Sequence, residues 1–129
     1  MDRNRTPRVR YMVNDLASAI TFYTQHLGFQ VARESRPYFA MLSRGSLQLV
    51  LSTPFGPGGA AKPMSDGRMA KPGGWNRMII DVDDLASEIA RMKEAGLHFR
   101  NEIVSGPGGS EVILDDPSGN PVELFQAAQ

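Results

Sequence analysis

Hydrophobic and polar positions repeat in a fixed order along this chain, and they do so twice. Val9, Tyr11 and Val13 alternate with Arg8, Arg10 and Met12, the period of a half-buried strand. Asp15 follows, a residue whose carboxylate can cap a helix. Leu16, Ile20, Tyr23 and Leu27 then recur at helical spacing up to Gly28, the residue type that ends helices in a left-handed turn. Further on, Met78, Ile80 and Val82 lead to Asp84, then to Leu85, Ile89 and Met92, and to Gly96. The same strand, cap, helix and stop are predicted in both stretches.

The two stretches superpose under a shift of 69 residues. Between Val13–Ile20 and Val82–Ile89, six of eight aligned residues are identical. Strand-like runs follow each helix, at about 30–34, 38–43 and 47–52 in the first half. In the second they fall at about 98–103, 110–115 and 121–125. Arg44-Gly45 and Asp116-Pro117-Ser118-Gly119-Asn120 read as the last turn of each half. Each half is therefore predicted as βαβββ, with modules at about 8–53 and 75–126 of one domain. The Gly- and Pro-rich residues 54–74 between them read as a lid or linker.

The motifs Val13-x-Asp15-Leu16, Phe22-Tyr23-x3-Leu27-Gly28-Phe29 and Asp116-Pro117-Ser118-Gly119-Asn120-Pro121-x-Glu123-Leu124 resemble those of the vicinal oxygen chelate superfamily. Glyoxalase, bleomycin-resistance proteins, extradiol dioxygenases and methylmalonyl-CoA epimerase are its members. The resemblance covers about residues 8–126. It implies an α+β fold in which two βαβββ modules form curved mixed sheets around a cleft, with helices outside, usually in a homodimer. It leaves the reaction open, because one scaffold carries many chemistries.

The resemblance also implies where a metal would be held: one residue on the first and one on the last strand of each module. In this sequence those positions are Arg8, Gln48, Arg77 and Glu123. Gln and Glu can offer oxygen to a cation. Arginine offers no lone pair and keeps its positive charge, so two arginines argue against a metal and no metal ligand or cofactor is assigned. His26 and His98 fall away from these positions and read as ordinary packing or surface histidines.

Strand alternation extends the candidate site. Arg10 and Met12 share a face with Arg8, Ile79 and Asp81 with Arg77, Val50 and Ser52 with Gln48, and Phe125 with Glu123. Trp75, just before the Arg77 strand, is a candidate to stack on a planar ligand, or simply to anchor the loop. Phe39 and Phe55 could join Phe125 in an aromatic slot, and Met64 and Met69 could seal the loop. The arginines have two readings. In one, Arg8 pairs with Glu123 and Arg77 donates to Gln48 or Asp81, giving inert networks. In the other, they bind a ligand's carboxylate, phosphate or enolate.

Composition narrows the classes. Fourteen basic and fourteen acidic residues cancel, so no overall field favours nucleic acid or an anionic membrane. There is no cysteine, hence no disulfide or thiolate chemistry. The polar start carries no signal-like run, and no stretch is apolar enough to span a bilayer, which reads as a cytoplasmic protein.

Three functions follow in order. The first is a metal-independent protein binding a small, partly aromatic or anionic molecule. The second is a metal-free lyase or isomerase with Glu123 as base and Arg8 or Arg77 stabilising an oxyanion, weakened because an arginine beside Glu123 lowers its pKa. The third is a metal-dependent glyoxalase or dioxygenase.

Overall fold

The computed structural model describes residues 5–129 and divides them into two compact units, the first ending at Pro72 and the second beginning at Gly73. The first unit runs β1 (Arg8–Met12), α1 (Leu16–His26), β2 (Gln30–Ser35), β3 (Phe39–Arg44) and β4 (Leu47–Ser52). The second runs β5 (Met78–Asp81), α2 (Leu85–Glu94), β6 (Val104–Gly106), β7 (Gly109–Asp115) and β8 (Pro121–Ala127). Each unit holds a four-stranded mixed sheet, ordered β1-β4-β3-β2 and β5-β8-β7-β6. The first strand of each runs parallel to the last, and the remaining pairs are antiparallel. This is the predicted α+β arrangement of two βαβββ modules.

Local chemistry sets these elements as the sequence indicates. The Asp15 carboxylate accepts from Ala17 N at 3.2 Å and that of Asp84 from Ser87 N at 3.1 Å, each satisfying a first-turn donor. Gly28 and Gly96 take φ of 73° and 83° after the helices, where a Cβ would be strained. In the Asp116–Asn120 turn one carboxylate oxygen of Asp116 accepts from both Ser118 N (2.8 Å) and Asn120 N (2.9 Å). Both side chains are buried, so these bonds replace lost water.

One face of each sheet is apolar. In the first unit Tyr11, Val13, Ala40, Leu42, Leu49 and Leu51 are buried together with Leu16, Ala19, Ile20 and Tyr23 of α1. Tyr23 sits edge-on to Phe22, Phe29 and Tyr11, with ring centres 4.9, 5.6 and 6.4 Å away. Such pairs contribute roughly 0.5–1.5 kcal/mol each beyond area burial. In the second unit Met78, Ile80, Val112, Leu114, Val122 and Leu124 are buried with Leu85 and Met92 of α2. The opposite face of each sheet is the one that carries Arg8 and Glu123.

One predicted strand is corrected. Residues 98–103 form only an isolated bridge, Phe99 to Leu114, and the strand lies later, at β6. Backbone bonds join His98 and Arg100 to Asp115 and Ile113, and the ladder then breaks at Asn101. Asn101 Oδ1, rather than a carbonyl, accepts from Ile113 N at 2.9 Å. His98 Nδ1 and Arg100 Nε both contact the Asp115 carboxylate, at 2.9 and 2.7 Å. Residues 54–74 contain one short 3-10 turn, Gly59–Ala61, and otherwise neither helix nor strand. Among the described residues no helix is long and apolar enough to cross a membrane.

Candidate functional site

Register fixes which side chains share the polar face of the first sheet. Arg8 lies opposite Gln48, and Gln48 opposite Ser43 and, through it, Gln30. The next row on this face reads Arg10, Val50, Met41 and Arg33, and the one after it Met12, Ser52, Phe39 and Ser35. None of these twelve residues is acidic. Arg8 and Arg10 are exposed, whereas Gln48 is half-buried. Arg10 donates from Nε to Ser52 Oγ at 3.1 Å. Among the described residues Arg8 has no carboxylate partner.

An open concavity of about 790 Å³ lies on this face, lined by Arg5, Arg8, Arg10, Gln48, Met41 and Val50 together with Thr6 and Pro7. Among the described residues three guanidiniums border it and no carboxylate does. Each retains its charge at any ordinary pH, so the concavity is permanently cationic.

The equivalent position in the second unit is different. Arg77 donates to Glu123 Oε1 from Nε (2.9 Å), with Nη2 also 2.9 Å from that oxygen, and from Nη1 to the Trp75 carbonyl (3.1 Å). Glu123 is buried on β8, and Arg77 is about one-quarter exposed. The ion pair of the second unit differs from the pairs expected from sequence, Arg8 with Glu123 and Arg77 with Gln48 or Asp81. Arg77 takes Glu123 itself, because β5 and β8 are parallel neighbours in register from Met78 and Val122 onward.

Glu123 is held above the ordinary carboxylate pKa. Burial is the largest cause, and a hydrogen bond that the protonated Glu123 carboxyl donates to Glu111 adds to it, whereas Arg77 works in the opposite direction. The sequence expectation that an arginine would leave this pKa lowered is therefore reversed. Desolvation and a second carboxyl outweigh one ion pair.

Trp75 is 68% exposed, and the Arg100 guanidinium carbon lies 4.7 Å from its ring centre. Arg100 also donates to Asp115, to the Gly74 carbonyl (2.8 Å) and to the Gly119 carbonyl (2.9 Å). It ties the residues before β5 to the Asp116–Asn120 turn. Asn120 Oδ1 completes the tie by accepting from Gly73 N at 2.8 Å. Phe125 is half-buried, on the same face as Glu123, opposite Asp81 and Glu111.

The structure thus brings Arg8, Arg10 and Gln48 together, and separately Arg77, Glu123 and the Trp75 backbone. It adds Arg5, Arg33 and Met41 to the first set and Glu111 and Arg100 to the second. Glu111 was accessible from alternation along β7. Arg33 was not, because the β2–β3 register shifts between Val31 and Arg33.

The residues at the family's ligand positions do not fit a divalent cation. Arg8 and Arg77 are donors only, and Arg77 occupies the carboxylate that Glu123 would offer. Among the described residues no three His, Cys, Asp or Glu side chains converge as a metal set.

The sequence profile of the glyoxalase/bleomycin resistance protein/dioxygenase superfamily matches residues 5–124. Solved structures share the fold at low identity. Lactoylglutathione lyase from Agrobacterium tumefaciens is 19% identical with a TM-score of 0.72, over 98% of this chain and 96% of that one. TnmS3, an antibiotic binding protein from Streptomyces sp. CB03234, is 21% identical with a TM-score of 0.69, over 98% and 100%. A superfamily member from Sphaerobacter thermophilus is 22% identical with a TM-score of 0.70, over 95% and 98%. No curated protein matches significantly.

Proposed function

This chain belongs to the glyoxalase/bleomycin resistance protein/dioxygenase superfamily, and we propose that within it the chain is a metal-independent binding protein for a small, partly aromatic anion. The observation that carries this reading is the concavity on the first sheet, bordered by Arg5, Arg8 and Arg10 and by no acid among the described residues. Guanidiniums that share one volume and have no carboxylate partner among the described residues repel each other, and an anionic ligand relieves that repulsion through bidentate hydrogen bonds. Arg8, Arg10 and Gln48 hold its charged end. The volume falls in the range of small-molecule pockets, roughly 300–1,000 Å³. One fold neighbour is described as antibiotic-binding and another as a lyase. Fold alone admits both, so the chemistry of the site decides.

A thermal-shift screen of aromatic carboxylates and phosphates tests the reading. A ligand at about 100 times its Kd stabilises the folded state by about 2.7 kcal/mol. That stabilisation is expected in the native protein and lost in Arg8→Ala. An equal shift in Arg8→Ala, or no shift with any anionic compound, overturns it.

A second reading is favoured by one observation, the buried Glu123 with its raised pKa. A carboxylate nearer neutrality is a better proton acceptor, as a metal-free lyase or isomerase requires. Against it, Arg77 already spends three N–H groups on Glu123 and Trp75 rather than on an oxyanion. Incubation of a bound ligand in deuterated water separates the two. Proton exchange that vanishes in Glu123→Gln selects the enzyme, and an unchanged ligand selects the binding protein.

A further inference from the structure

From β1 across β4 to β3 the polar face of the first sheet passes from cationic to apolar. At β1 stand the guanidiniums of Arg8 and Arg10, with Arg5 at the rim and the half-buried amide of Gln48 beside them. The next strands contribute Val50 and Met41, which are apolar. Phe39 lies two residues along β3 from Met41, with the guanidinium carbon of Arg33 on β2 5.6 Å from its ring centre. Two strand spacings separate Arg10 from Met41, roughly 10 Å. That distance suits a bicyclic ring system carrying a compact charged group.

The charge is also informative. A single carboxylate compensates one guanidinium and leaves two facing it without an anion. A group with two negative charges and three oxygens can accept bidentate bonds from two arginines and a further bond from a third or from Gln48. Among the described residues no carboxylate on the face competes for them.

We propose that this face takes a ligand with a dianionic head, held by Arg5, Arg8 and Arg10, and a flat apolar body laid over Val50 and Met41 toward Phe39. The head is a phosphate monoester, a phosphonate or a dicarboxylate. The inference rests on the reading of this face as the ligand site, and it narrows the ligand from an anion to a dianion.

Calorimetric titration of the full chain at low salt tests it, with 1-naphthyl phosphate, a naphthalene dicarboxylate, 1-naphthoate and inorganic phosphate as probes. At pH 8 the naphthyl phosphate is expected to bind at least about tenfold more tightly than naphthoate, and more tightly than inorganic phosphate. Its advantage shrinks at pH 5, because the second phosphate proton dissociates near pH 6 while the arginines keep their charge. A dicarboxylate that matches the phosphate assigns the head to charge alone. Preference for the phosphate assigns it to a tetrahedral head. Arg8→Gln and Arg10→Gln each weaken binding about tenfold with an unchanged unfolding midpoint.

Two failures are distinguishable. If naphthoate binds as tightly as naphthyl phosphate and Arg8→Gln abolishes both, the dianion is wrong and the site reading survives. If no probe binds, or neither substitution changes affinity, both are wrong.

Discussion

Arg77 grips the buried carboxylate of Glu123 with two guanidinium nitrogens, whereas Arg8, its counterpart under the 69-residue shift, faces Gln48 and has no carboxylate partner among the described residues. Two residues that the sequence makes equivalent therefore do different work. The first prediction follows from the pair. Arg77→Met leaves a buried carboxylate with Glu111 for company and no cation. Breaking a fully buried pair costs about 3–5 kcal/mol. Because Arg77 is one-quarter exposed and Glu123 can take up a proton, the expected loss is about 2 kcal/mol at pH 8. Chemical denaturation measures it, and the loss is smaller at pH 5. An equal or larger loss at pH 5 contradicts the account.

Glu123 gives a prediction for the unmutated protein. Its folded pKa is raised, so the folded state binds a proton more readily than the unfolded chain does. The associated stability is fully present below the ordinary carboxylate value of 4.5. It is lost as pH rises through the folded pKa. Unfolding free energy is therefore expected to carry a declining component above that value. Glu123→Gln removes the component and flattens the profile. A profile with the same slope in both proteins shows that Glu123 does not titrate differently on folding.

Much of the fold was legible because its signals are local. Asp15 and Asp84 cap, Gly28 and Gly96 stop, and alternation in β1, β4, β5 and β8 places the right residues on the polar faces. The site was legible only in part, because two of its features depend on register. Counting by twos from Gln30 puts Glu34 on the polar face and Arg33 off it. The irregularity between Val31 and Arg33 reverses this, replacing an acid by a cation on that face. The raised pKa of Glu123 depends first on burial and then on its contact with Glu111; alternation along β7 gives the face of Glu111 but not that burial or contact.

Arg100 supplies a third prediction. It bonds Asp115 and the Gly74 and Gly119 carbonyls and covers one face of Trp75, so it fixes the segment before β5. Arg100→Ala is expected to cost about 2 kcal/mol, since hydrogen bonds to charged groups contribute roughly 1.5–3 kcal/mol. The single tryptophan reports the local event, with its fluorescence changing in the folded protein before any unfolding. Arg100→Lys recovers little, because an ammonium cannot span three acceptors with one planar fork. Unchanged emission in Arg100→Ala would mean that Trp75 is held by something else.

The last prediction concerns metal and Arg8 together, because they separate a ligand site from a vestigial one. Arginine at a ligand position opposes a divalent ion, so purified protein is expected to hold well under one equivalent of such metal per chain. Chelation should leave its unfolding midpoint unchanged. Arg8 is exposed and has no carboxylate partner among the described residues, so Arg8→Ala should alter stability by no more than about 0.5 kcal/mol. A full equivalent of zinc retained after dialysis, or a midpoint that falls on chelation, would show that the arginines do not exclude the ion.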